Sequence, residues 1–433
     1  MSTDTREDRL ARRIADLYAT DPQFAAAAPD DAISHAIDQP GTHLPVIVQT
    51  VLDGYAERPA LGQRAVRFVT DPATGRTTTE LLPRFETITY AELSRRIHAV
   101  TAALTDVHPG DRVAVLGFTS IDYTTVDMAL AMLGAVAVPL QTSAPATTVR
   151  PIVAETEPVV IASSVDALTD AVGLALDAPT VTRLVVFDHR AGVDDHRDAL
   201  ISASDRLRAA NSPIEVETIT DIVARGSKLP VRAQFSADGD ALSLLIYTSG
   251  STGAPRGAMY PQHLVANSWR RLARSFWGDL GVFPAITLNF MPMSHVMGRG
   301  LLYGTLGAGG TAYFAARSDL STFLEDLALV RPTQLSFVPR IWDTIHAEVS
   351  QELERRPSDA TEVIADLRRS LLGGRYVTAM TGSAPLSPEM RAFVENLLDV
   401  HLIDGYGSTE AGAGFVDCRG QPPPATARPL AEA

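Results

Sequence analysis

Cysteine occurs once in the 433 residues, as Cys418, so an internal disulfide and a cysteine-rich metal site are both excluded. An excess of basic residues is also missing. The formal net charge is −14, which offers no attraction to nucleic acid or to an anionic membrane surface. Long apolar runs are lacking too. MALAMLGAVAVPL (residues 128–140), the longest uncharged one, has 13 residues interrupted by Gly134 and Pro139, too few to span a bilayer. The start, MSTDTREDRLARRIADLYA, is charged throughout and has no apolar centre of the kind a signal peptide needs. These absences point to a reducing, cytoplasmic setting, and nothing marks an oligomeric state. Hydrophobic residues make up 45% of the chain, enough for a large core.

What is present is an alternation of strands and helices. Leu10, Ile14 and Leu17 recur at helical spacing, and residues 1–45 read as an accessory helical segment. In TYAELSRRIHAVTAAL, Leu93, Ile97, Val100 and Leu104 mark one helical face. RVAVLGF, AVAVPL, PVVIAS and RLVVFD then read as continuous apolar strands separated by helices, two of them near 121–133 and 147–156. The pattern predicts an α/β fold with mostly parallel sheets covered by helices on both faces. ALSLLIY (241–247), QLSFVP (334–339), YVTAM (376–380) and VHLI (400–403) continue the series. Three of these strands run straight into small polar loops, TSGSTG, TGSAPLS and DGYGSTEAG. In doubly wound sheets, ligands bind where such loops converge beyond the carboxyl ends of the strands.

Each loop has a plain and a chemical reading. In the first, Gly250, Gly253 and Gly257 permit close approach while Thr248, Ser249, Ser251 and Thr252 supply hydroxyls. Such a stretch is either a surface turn or a concave amide cradle for phosphate, with Arg256 placed to pair with a phosphate oxygen. It is not a Walker A loop, because G-x-x-x-x-G-K-[ST] cannot be laid on it. In the second, Ser387 is an N-cap followed by Pro388, so part of the segment is a strand-to-helix turn, and Ser383 stands free upstream. In the third, Glu410 is either a solvated surface carboxylate or a ligand of Mg²⁺, which takes one or two carboxylates together with phosphate oxygens. His295, in NFMPMSHVMGRG, is either a hydrogen-bonded core histidine or part of a substrate-pocket wall.

In order and spacing, YTSGSTGAPRGAMY, NFMPMSHVMGR, TGSAPLS and DGYGSTEAG resemble the core of the adenylate-forming (AMP-binding) superfamily, over roughly residues 50–416. The closer resemblance is to the adenylation domain of actinobacterial carboxylic acid reductases, formerly named as fatty-acid ligases. It is carried by RIADLYATDPQFAAAAP, PALGQRA, LLPRFETITYAEL, VPLQTSAP and LALVRPTQLSFVPRIWD. The resemblance implies the large lobe of an adenylate-forming enzyme and ATP-dependent activation of a fatty or aromatic acid to an acyl-adenylate. It also implies roles by position. Thr248, Ser249, Gly250, Ser251, Thr252 and Gly253 would hold the β- and γ-phosphates of ATP, with Arg256 where many members have lysine. His295 would line the carboxylate pocket. Ser383, Asp404 and Gly405 would meet the adenine edge, with Tyr406 against the ring. Thr409 would touch the α-phosphate and Glu410 would bind Mg²⁺.

The expected division is a helical segment over 1–45, an adenylation core over 46–416 and a disordered non-family tail over 417–433, rich in Pro and Ala. Family members continue with a small mobile lobe bearing a catalytic lysine, and the reductases add a phosphopantetheine carrier and an NADPH-dependent domain. The expectation is that this chain lacks them through a frameshift near Asp417, leaving adenylate formation weak or absent. Two alternatives stay open, a non-catalytic binder of ATP or acyl-adenylate and an acyl-CoA ligase type of protein. A P-loop NTPase is disfavoured by the absent Walker lysine.

Overall fold

The computed structural model describes residues 4–233, 235, 239–248, 255–275, 283–357, 359–409 and 412–417. The chain divides into two compact units. A central unit comprises Asp31–Arg270 and Phe290–Gly300; a terminal unit comprises Met1–Asp30, Arg271–Asn289 and Leu301–Ala433.

The central unit begins its strands with an antiparallel hairpin, β1 (Pro59–Thr70) and β2 (Thr77–Thr89). Sequence periodicity gave no warning of it, because the positions of β2 are exposed or half-buried with no regular alternation. β2 runs directly into the helix Tyr90–Ala103, started by a capping box in which the Thr89 hydroxyl accepts the Glu92 amide and Glu92 reaches back to the Thr89 amide. The helical face expected there is buried: Leu93, Ile97, Val100 and Leu104 all lie in the core.

A seven-stranded sheet follows: β3 (Arg112–Leu116), β4 (Val136–Leu140), β5 (Val160–Ser164), β6 (Arg183–Phe187), β7 (Glu215–Thr218), β8 (Leu242–Thr248) and β9 (Arg256–Pro261). Their order is β7-β6-β5-β3-β4-β8-β9, parallel throughout except for the antiparallel pair β8–β9. Ala114, Val138, Ile161 and Leu184 of the inner strands pack with Leu168 and Val172 of the helix Leu168–Leu176 in one buried cluster. Val113, Val115, Ala137, Val160, Ala162 and Val185, on the opposite face, are buried as well, and this two-sided burial explains why these strands read as unbroken apolar runs. The helix Ile121–Leu133 follows β3, starts on the Ser120 hydroxyl and ends at Gly134, whose φ of +71° suits a left-handed stop.

The terminal unit holds a parallel pair, β10 (Ile286–Asn289) and β11 (Thr311–Phe314). It also holds a sheet of β12 (Gln334–Phe337), β13 (Thr378–Gly382), β14 (Leu402–Ser408) and β15 (Gly412–Asp417) in that order. β12, β13 and β14 are parallel and β15 returns antiparallel. One expectation is corrected here. DGYGSTEAG is not a loop from Asp404 onward: Asp404, Gly405 and Tyr406 are strand residues of β14, because β15 supplies ladder partners to Asp404, Gly405 and Tyr406. Among the described residues no helix is long and apolar enough to cross a membrane.

Candidate functional site

In the central unit, Thr248 and Arg256 are directly opposite in the β8–β9 register, at one end of the strand pair. Thr248 is half-buried and Arg256 is exposed. Ser249, Gly250, Ser251, Thr252 and Gly253 lie outside the described residues.

His295 sits on a turn that packs tightly on itself. A Cβ at Gly298 would stand 2.5 Å from the Pro292 carbonyl oxygen and 2.7 Å from that of Met291, so only glycine fits there. Arg299 locks the turn. Its Nε donates to the Met293 carbonyl at 2.6 Å, and its two Nη atoms donate to the Asp127 carboxylate at 2.8 and 2.7 Å. The pair is nearly sealed from water, with side chains 5% and 4% exposed. His295 Nδ1 accepts the Met297 amide at 3.2 Å, which leaves the proton of the neutral ring on Nε2. Burial pushes the imidazole below its ordinary pKa, so the neutral donor form persists to lower pH.

In the terminal unit, the parallel register sets Thr381 beside Asp404 and Gly382 beside Gly405. The backbones approach closely: a Cβ on Gly382 would meet the Gly405 carbonyl oxygen at 2.9 Å. Ser383 follows in the left-handed region at φ +70° and is exposed. Ser387 then caps the helix Pro388–Leu398 by accepting the Met390 amide. A serine at positive φ is strained, so Ser383→Gly is expected to stabilise the protein by about 0.5–1 kcal/mol in chemical denaturation. An unchanged midpoint would contradict that. Asp404 accepts Arg391 Nη2 at 3.0 Å, and Thr409 is half-buried. Only the backbone of Tyr406 is described, and Glu410 lies outside the described residues.

Three sets of residues escaped the sequence reading. Asp127 and Arg299 are 172 positions apart, and Arg391 reads locally as one more helix charge. The third set gathers at the carboxyl ends of β3 and β6. There the Asp188 amide donates to Asp122 at 3.0 Å, Asp122 also pairs with Arg96, and Ser120 caps the helix that carries Asp122. Loss of water around the Asp188 carboxyl, followed by the nearby Asp122 carboxylate, pushes it up to about 8. Among the described residues no group of three or more His, Cys, Asp or Glu side chains is placed to hold a metal ion.

The parallel strands β13 and β14 bring Thr381, Gly382, Asp404 and Gly405 together in an α/β fold. The chain belongs to the AMP-binding enzyme family, whose match covers residues 62–432. It is similar to the carboxylic acid reductase of Mycobacterium marinum, with 59% identity over 432 residues covering 96% of this chain and 36% of the reductase. The Mycobacterium tuberculosis reductase is also 59% identical, over 94% of this chain and 35% of its own length. The chain therefore spans about a third of the length of these relatives. Among solved structures it is similar to the A domain of carboxylic acid reductase from Segniliparus rugosus in complex with AMP and a co-purified carboxylic acid. That match has 48% identity and a TM-score of 0.91, covering 94% of this chain and 67% of that one.

Proposed function

We propose that the chain activates a carboxylic acid with ATP, as the first half-reaction of carboxylic acid reduction. A carboxylate oxygen attacks the α-phosphorus, the bond to the bridging oxygen breaks, pyrophosphate leaves and the acyl-adenylate remains. The observation that carries this reading is the close approach of the β13 end at Gly382 and Ser383 to Asp404 and Gly405 of β14, in a chain 48% identical to a domain whose structure holds AMP and a carboxylic acid. A nucleobase edge needs close backbone approach and fixed polar groups, and this strand end offers both.

The remaining residues take roles suited to their chemistry. Thr248 to Gly253 and Arg256 would bind the β- and γ-phosphates, which carry the charge that departs. His295, held neutral with Nε2 as donor, would orient the acid without competing for the phosphorus. Tyr406 would stack on the base and Thr409 would touch the α-phosphate. Glu410 would supply one carboxylate to Mg²⁺, whose chemistry when bound is neutralisation of phosphate charge. Little covalent help is needed, since in-line positioning and charge stabilisation supply most of the rate. The substrate class is a fatty or aromatic acid, and the setting is cytoplasmic.

Pyrophosphate release, measured with ATP, Mg²⁺ and a panel of fatty and aromatic acids, tests the proposal. Release is expected only when both ATP and an acid are present, and Glu410→Ala should raise the Mg²⁺ requirement at least tenfold. Nucleotide binding without acid-dependent pyrophosphate release would overturn the catalytic reading.

A further inference from the structure

The helix Pro388–Leu398 treats β14 as a neighbouring strand would. Leu402, the first residue of β14, is buried at 1% exposure and pairs with Ala379 of β13 on one side. On its other side, β15 begins pairing only at Asp404. Two side chains one helical turn apart fill the missing place. Glu395 Oε1 accepts the Leu402 amide at 3.0 Å, and Arg391 Nη1 donates to the Leu402 carbonyl at 2.8 Å. A carboxylate and a guanidinium thus stand in for the carbonyl and amide of a strand. The second arm of Arg391, Nη2, reaches two residues further to Asp404 Oδ2 at 3.0 Å. The whole is braced from the chain start: Arg6 Nη1 donates to Glu395 Oε2 at 3.1 Å, and Arg9 grips Asp399 with two bonds of 2.7 Å.

We propose that Arg391 is a positioning residue for nucleotide binding: with Glu395 it fixes the start of β14 and presets the Asp404 carboxylate, leaving Oδ1 for the nucleobase. This inference rests on the adenylation reading given above. A planar guanidinium whose two arms hold two acceptors fixes their spacing and plane, which a single ammonium does not. Arg391 therefore acts through Asp404 rather than on the nucleotide.

The test combines two measurements on the 433-residue chain. Calorimetric titration with AMP covers wild type, Arg391→Met, Arg391→Lys, Asp404→Asn and the Arg391→Met/Asp404→Asn pair. Hydrogen exchange follows the amides of Leu402 to Asp404. Arg391→Met is expected to weaken AMP binding about tenfold, the loss of one charge-assisted hydrogen bond to an orienting partner. Arg391→Lys should recover part of it. In the Asp404→Asn background the same change should cost less than about twofold, because the residue it works through is already altered. Exchange at Leu402 should quicken at least tenfold in Arg391→Met.

Binding within twofold of wild type in Arg391→Met, or an equal loss in both backgrounds, overturns the proposal. Should Arg391→Met not fold, Arg391→Lys decides by the same comparison with and without Asp404→Asn. A wild-type chain that binds no AMP overturns the adenylation reading and this positioning role with it. Unchanged exchange at Leu402 removes the clamp alone and leaves that reading standing.

Discussion

Removing the Asp127 carboxylate is expected to cost the protein about 3–5 kcal/mol of stability. In Asp127→Ala the Arg299 guanidinium remains buried, now without its counter-ion, in a place 5% exposed to water. The loss comes from that stranded charge more than from the attraction of the pair. Urea denaturation followed by fluorescence measures it, and a shift smaller than about 1 kcal/mol would show that water reaches the site. The double variant Asp127→Leu/Arg299→Met is expected to recover much of the stability, since an apolar pair carries no desolvation penalty. It should not recover order in the His295 turn, because the Met293 carbonyl also loses its donor. The pair thus separates the energetics of burial from the geometry of the turn.

Asp188→Asn is expected to stabilise the protein at pH 8 by about 1–3 kcal/mol and to flatten its stability profile. The sign follows from proton counting. With its pKa pushed up to about 8, the folded Asp188 holds a proton over a range where the unfolded carboxyl has lost it. The folded state then binds more protons, so stability falls as pH rises from about 4 to 8. Burial lowers the pKa of His189 and His196, which work the other way below about 6.5, where the unfolded imidazoles take up protons first. Asparagine removes the carboxyl contribution alone, and it tolerates the left-handed backbone found there, at φ +57°. Denaturation midpoints at pH 5, 6.5 and 8 provide the check. A variant whose curve runs parallel to wild type would mean Asp188 is ionised at neutral pH.

The parts legible in the sequence are those with a local signal. The helix over 121–133 and the strands near 136–140, 160–164 and 183–187 lie where apolar runs and turn residues put them. Their burial on two faces is written into each short segment. Register is not local. Nothing in DGYGSTEAG tells that β15 will pair with it, so the segment looks like a loop until the partner strand is present. The β1–β2 hairpin was hidden for a related reason, since β2 and the last residues of β1 carry no regular apolar alternation.

The sequence by itself determined the α/β alternation and the strand-end motifs, because periodicity and spacing are properties of neighbouring residues, and the resemblance of those motifs to a known family supplied the family. Only the tertiary structure decided which charges face which. Arg299 meets Asp127, Arg391 meets Leu402 and Asp404, and Asp188 meets Asp122. Each partner is chosen by chain folding, and a charged residue looks the same in the sequence whether it ends in water or in a buried pair. The physical reason is desolvation: its cost depends on three-dimensional surroundings that no window of neighbouring residues contains.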